Sequence, residues 1–342
     1  MTNSHSMPHQ YIDRRTGSVK TEQLFSDSVV RWLYSSVREN APALFRLALS
    51  SRVSSLLGFL NYDLPMGGEF SGAMRFLRES GVNVDEFVEL PSSLNTMRKL
   101  FERQIRYWDC RPLPPEANAV VSPADARALV GSFDEASSLF LKGKFFDLEE
   151  LLGRDKREWL AAFAGGDYAV FRLTPDKYHF NHTPVAGLVK DFYEVRGLYH
   201  ACNPSAIVAE VTPFSKNTRT VTVIDTDVES GTRIGLLAMI EVTALMIGEV
   251  KQCYSRQQYH DPQPITPGMF VERGCPKSLY RPGSSTDVLL FQPGRIAFDK
   301  DLIRNLNRHD AQSRFSLGFG RPLVETDVEV RSRIATSRES LK

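Results

Sequence analysis

Between residues 26 and 60 the apolar positions recur three and four apart: Val29, Val30, Leu33 and Val37, then Leu44, Phe45, Leu47 and Ala48. That is the spacing of one helix face, and Asn40-Ala41-Pro42 divides it into two helices because proline lacks a donor and crowds the preceding turn. Shorter helical patterns cover residues 72–79 and 93–107. The run Arg111-Pro112-Leu113-Pro114-Pro115 punctuates the chain, and beyond it a helical pattern returns only near 147–163. Strand-like runs take over at 169–173, 185–193, 207–211, 218–225, 288–291 and 328–334. Thr220-Val221-Thr222-Val223-Ile224 is β-branched, and Glu229-Ser230-Gly231-Thr232 reads as the turn into the next strand. The pattern predicts an α+β protein: a helical region over 1–115, then a β-rich domain over 116–342.

Residues 234–248 form an apolar stretch interrupted by Glu241. It is shorter than the ~20 residues of a spanning helix and reads as buried core. Arg31, Arg38, Arg46 and Arg52 outnumber Asp27 and Glu39 in the first helical region, and Trp32 and Tyr34 sit among its apolar positions. Such a helix pair either packs on its own protein or lies in a membrane interface. The 342 residues carry 42 Lys+Arg against 41 Asp+Glu, a balance that gives a phosphate-binding nucleic-acid surface no support. Cys110, Cys202, Cys253 and Cys275 are too scattered for a disulfide framework, and the polar N-terminus lacks the apolar stretch of a secretory signal. A cytoplasmic location follows as the expectation.

Three segments of the β-rich part concentrate reactive side chains: 121–127 with Asp125, 178–185 with His179 and His182, and 281–287 with Ser284 and Ser285. Each alone also reads as a turn or a strand end. Together they supply an acid, an imidazole and a hydroxyl, the set that activates a serine nucleophile. The Gly-x-Ser-x-Gly elbow of hydrolases is absent, since Ser284 is followed by Ser-Thr-Asp. A serine directly after a glycine has another use. If Ser284 attacks the carbonyl carbon of Gly283, the peptide becomes an ester, and elimination cuts the chain to leave a residue that hydrolyses to a pyruvoyl group. Glycine suits the position before the cut because no side chain obstructs the attack.

On these segments the chain resembles the phosphatidylserine decarboxylase family of pyruvoyl enzymes. Residues 11–17 (YIDRRTG) look like the family's opening, and Ser122-Pro123-Ala124-Asp125-Ala126 is similar to its SPADG motif. Residues 178–187 (YHFNHTPVAG) resemble YHRxHxPVxG, and Lys216-Asn217-Thr218-Arg219 matches K/RNxR. Gly283-Ser284-Ser285 resembles the processing site and residues 324–330 the ETxVxV tail. The likeness spans nearly the whole chain, and the ordered set is more specific than any one motif.

The resemblance implies that Asp125 orients or charges His182, that His182 activates Ser284 for self-cleavage, and that His179 supports it. Cleavage after Gly283 gives fragments 1–283 and 284–342, a heterodimer whose smaller member begins with the pyruvoyl group. Counting back from Phe291 instead favours Ser285 as its source. The group implied forms a Schiff base with the substrate amine and draws electrons as CO2 leaves, converting phosphatidylserine to phosphatidylethanolamine with no metal. A bilayer substrate implies a peripheral enzyme on an anionic membrane surface, and raises the membrane reading of the basic helices. Ala126 stands where the family has glycine, Phe180 where it has arginine, and Met97-Arg98-Lys99-Leu100-Phe101 where it has an FNDFF-like segment. Those departures leave two alternatives beside the lipid enzyme: a decarboxylase of a soluble amino acid or derivative, and an inactive lipid-binding relative.

Overall fold

The computed structural model describes residues 7–24, 81–133, 147–198, 200, 204–209, 213–244, 249–282 and 285–338. The helices read at 26–60 and 72–79, Cys202, Gly283 and Ser284 lie outside them.

In chain order the strands are β1 Gln10–Asp13, β2 Val19–Thr21, β3 Ala119–Val121, β4 Ala126–Ser132, β5 Asp167–Leu173, β6 Phe180–His182, β7 Gly187–Val195 and β8 Arg219–Asp225. They continue with β9 Leu236–Val242, β10 Val250–Gln252, β11 Phe270–Val271, β12 Pro276–Tyr280, β13 Ser285–Phe291, β14 Ile296–Phe298, β15 Glu325–Val328 and β16 Arg333–Ser337. Ten of them form one sheet in the order β11-β7-β8-β9-β13-β5-β4-β15-β1-β2. Two three-stranded sheets, β10-β12-β6 and β14-β16-β3, complete the framework. With the described helices this is an α+β protein.

The sheet has a core on each face. One face buries Phe171, Leu173, Met239, Leu289 and Phe291 with Tyr280 and Ile334 from the smaller sheets and Val185 from the loop before β7. The other buries Val170, Val221, Val223, Ile240 and Leu290 under Trp159, Phe163 and Phe315 of helices. Alternation along each strand sends successive side chains to opposite cores, which is why β5 and β13 are buried from end to end and β9 from Leu237 onward. Residues on both sides of position 115 build the sheet, since β1 pairs in parallel with β15, Tyr11 opposite Glu325. The opening and tail motifs therefore touch. Arg14 joins this corner to Asp299 and Asp301, and its guanidinium donates to the Arg333 carbonyl.

Four local readings change. Within the run read at 207–211, residues 207–209 are not a strand, since Pro204–Ala209 is helical, and 210 and 211 lie outside the described residues. Proline suits the first helical turn, and Ala206 and Ile207 are buried there. The stretch at 93–107 holds only one short helix, Met97–Phe101, before Ile105 bridges to Phe87 and a second turn forms at Tyr107–Cys110. The run at 328–334 breaks into β15 and β16, with Arg331 at φ 69° between them. The helical stretch at 147–163 becomes two helices, the first capped by Asp147, whose carboxylate accepts the Glu150 N–H at 2.9 Å.

Candidate active site

Strand β6 carries the Asn181 and His182 of the second segment and lies antiparallel to β12. Pro276 stands opposite His182 and Leu279 opposite Phe180, and the Tyr280 N–H donates to the His179 carbonyl at 3.1 Å. This register puts His179 beside the end of β12 that runs into residues 281–284, and His182 at the other end. The two are three positions apart along extended chain, roughly 10 Å.

Both histidines are fully buried, and burial pushes both rings down to about 3, with Arg103 adding to the effect at His179. The His182 Nδ1 lies 2.9 Å from the Gly274 carbonyl, an acceptor only, so Nδ1 carries the proton and Nε2 accepts. Gly274, at φ +77°, makes a turn few other residues adopt, and a Cβ there would meet Leu113 at 2.5 Å. Nε2 receives the Tyr178 hydroxyl at 2.9 Å, and the Tyr259 hydroxyl stands 2.8 Å from that of Tyr178. Tyr107 meets the His182 ring edge-on at 4.7 Å. His182 is thus fully engaged. His179 is not: its Nδ1 donates to the Lys177 carbonyl at 2.8 Å, its ring stacks on Phe101, and its buried Nε2 has no hydrogen-bond partner among the described residues.

Asp125 ends a tight loop that is tied to β6 by the His182 N–H, which donates to the Pro123 carbonyl at 2.7 Å. Its carboxylate accepts two bonds from Arg111, at 3.3 and 3.1 Å, and the Val330 N–H at 2.7 Å. Burial works to raise its pKa, but Arg111 and these bonds outweigh it and hold the carboxyl below its ordinary value. Asp125 therefore reaches His182 through its charge and through the loop, and its direct partner is Arg111, which no motif had singled out. Phe180, in the arginine position, packs between Tyr178 and Tyr259 with ring centroids 5.5 and 5.0 Å away.

Past residue 284, Ser285 opens β13 with its hydroxyl fully buried and without a partner among the described residues, as is that of Thr286. Behind them a charged group fills the core. The Lys277 ammonium lies 2.6 Å from Glu241, both inaccessible to solvent, while Ser278, Asn181 and Gln252 also bond Glu241.

In the tail motif, Glu325 accepts from His9 at 2.8 Å and from Arg172 at 3.0 and 2.6 Å, and Arg172 also binds Glu22. Burial raises the Glu325 pKa, but Arg172 and His9 pull it down to about 2. His9, Glu22 and Glu325 are close enough to share a metal ion, yet Arg172 already matches both carboxylates, so the group reads as an ion cluster joining the two chain ends.

Buried neutral imidazoles, a charged aspartate behind them and unsatisfied hydroxyls at a strand start define a site for acid–base and acyl chemistry at serine. The family model of phosphatidylserine decarboxylase matches residues 97–315, well over half of the chain. A phosphatidylserine decarboxylase proenzyme of Fusobacterium nucleatum is 25% identical over 312 residues, 90% of this chain and 95% of that one. Proenzymes of the same name from Chlamydia trachomatis and Chlamydia felis are 29% and 28% identical over 294 and 319 residues, 86% and 92% of this chain and 90% and 99% of theirs. The chain belongs to the phosphatidylserine decarboxylase family, whose members are carboxy-lyases.

Proposed function

We propose that this chain is a self-processing phosphatidylserine decarboxylase, releasing CO2 and leaving phosphatidylethanolamine at a membrane surface. The observation that carries the reading is the pair of unpartnered buried atoms at the two ends of one loop: the Ser285 hydroxyl where β13 begins and the His179 Nε2 beside the end of β12. Unfilled hydrogen-bonding capacity at nine-tenths burial or more is costly, and a reacting group between the two would use it. The proenzyme names of the relatives fit a chain that cuts itself.

In this reading His179 keeps its proton on Nδ1 and presents Nε2 as an acceptor for a serine hydroxyl. The strand register supports giving that part to His179 and a holding part to His182, which fixes the Tyr178 hydroxyl and the loop of Asp125. Asp125 keeps a negative charge behind the rings. Ser284 is the source of the group on the glycine argument, and Ser285 is a second reading favoured by its unpartnered hydroxyl. A pyruvoyl group formed there supplies an electron sink for the bond broken as CO2 leaves.

Denaturing intact mass of the purified chain tests this. Fragments of 283 and 59 residues, the smaller with a blocked start, support Ser284, and fragments one residue longer and shorter support Ser285. A stable uncut chain overturns the proposal. His179→Ala should stop the cut more completely than His182→Ala. Among the described residues no helix is long and apolar enough to cross a membrane. The membrane part of the proposal therefore rests on the basic helical pattern of residues 26–60. Activity on phosphatidylserine vesicles, with sedimentation on anionic vesicles, supports it, and turnover of soluble amino acids alone overturns it.

A further inference from the structure

The processing loop has a short base. Tyr280 closes β12, Ser285 opens β13, and four residues join them. Across that base the Tyr280 hydroxyl lies 3.0 Å from the Thr286 carbonyl and 2.8 Å from Asp287 Oδ1. A phenol has one proton, and the carbonyl is only an acceptor, so both contacts are satisfied together when Asp287 donates to Tyr280 and Tyr280 donates to Thr286. Asp287 is then a neutral acid.

Its surroundings require the same. Asp287 pairs across the sheet with Glu241, and both are inaccessible to solvent. Lys277 already balances Glu241. The groups facing Asp287 are Glu241 from β9, Lys277 and Tyr280 from β12, and Phe171 from β5. A second negative charge would have to share Lys277 with Glu241. Burial, then Glu241, raises the Asp287 pKa well above its ordinary value.

We propose that Tyr280 and the neutral carboxyl of Asp287 form a clasp that positions the processing loop before the cut and keeps the two new chain ends together after it. The inference rests on the processing reading. It holds for either serine, because Tyr280 precedes and Asp287 follows both cuts. Tyr280 then belongs to the large fragment, and Asp287 and Thr286 to the small one. Both are positioning residues. Ionising Asp287 opens the clasp, because Tyr280 must then choose between the carboxylate and the carbonyl, and the added charge faces Glu241.

The test is the rate of self-cleavage of the full chain made by cell-free synthesis and chased in neutral to alkaline buffers, read by denaturing intact mass. Tyr280→Phe and Asp287→Ala should cut about ten-fold more slowly, the effect of losing one buried hydrogen bond from the reacting geometry. Asp287→Asn, which cannot ionise and still donates, should restore the neutral-pH rate and remove the alkaline fall expected of the wild type. Glu241→Gln should move that fall to lower pH. Wild-type cutting by Tyr280→Phe overturns the clasp. So does an alkaline fall that persists in Asp287→Asn while only its thermal midpoint drops, which is what a merely structural role predicts. A wild-type chain that never cuts overturns the processing reading, and the clasp with it.

Discussion

Arg111 and Asp125 form a pair in which each partner makes the other tolerable in the core. The Arg111 side chain is 10% exposed and also meets Glu86 at 3.0 Å, so truncating it strands the Asp125 carboxylate. Arg111→Ala should lower stability by about 3 kcal/mol or more, read as a fall in the urea midpoint, while Arg111→Lys loses less. The acid limb of stability has two sources with different windows. His179 and His182 have folded pKa values near 3 against the ordinary 6.5, so the unfolded chain takes up protons first as pH falls. Their contribution is complete above pH 6.5 and is lost on the way down to about 3, on the order of a few kcal/mol per ring. Asp125, with its pKa lowered, acts only below the ordinary carboxylate range of 3.8. Urea midpoints across pH should therefore begin to fall near 6.5, and His179→Gln should shrink that first step while leaving the deeper one. The reactive residue types were legible along the chain. Their pairing was not: Arg111 lies in a proline-rich turn with no motif around it, and the unpartnered Nε2 of His179 depends on Lys177 and Phe101, which hold the ring, and on β12, which holds its backbone.

At the scale of elements, close approach decides more than propensity. Gly166 enters β5 where the chain passes the end of β13, and a Cβ there would stand 1.9 Å from the Phe291 carbonyl oxygen, which is backbone and cannot turn aside. Gly166→Ala should cost about 2 kcal/mol or more, visible as a lower thermal midpoint, because the clash falls on the strand that carries the candidate site. The strands at 169–173, 218–225 and 288–291 were readable because β-branched and apolar runs bounded by turn residues have few other uses. The run at 207–211 carried a similar apolar signal, yet its described part belongs to the helix Pro204–Ala209. Packing against the chain around Phe315 overrode local preference there, since a short helix takes its stability from its buried face.

At the scale of the molecule, the loop between β12 and β13 falls inside the sheet order and not at its margin. β13 lies between β9 and β5, β15 joins β4 to β1, and β16 lies between β14 and β3, so strands on either side of the loop alternate. A cut chain of this topology should elute as one native species and separate into two only in denaturant, by size exclusion followed by denaturing mass. Separation under native conditions would contradict it, because removing β13 would expose two central strand edges at once. Order and chemistry along the chain determined the class: apolar periods distinguish helical from β-rich stretches, and the succession of Asp125, His179 with His182, and Gly283-Ser284-Ser285 carries the family likeness. What only the tertiary structure decided is which atoms remain unspent. Whether His179 or His182 faces the loop, whether Asp125 meets a histidine or Arg111, and whether Asp287 bears a charge depend on strand register and burial, and those arise from contacts between residues far apart in the chain.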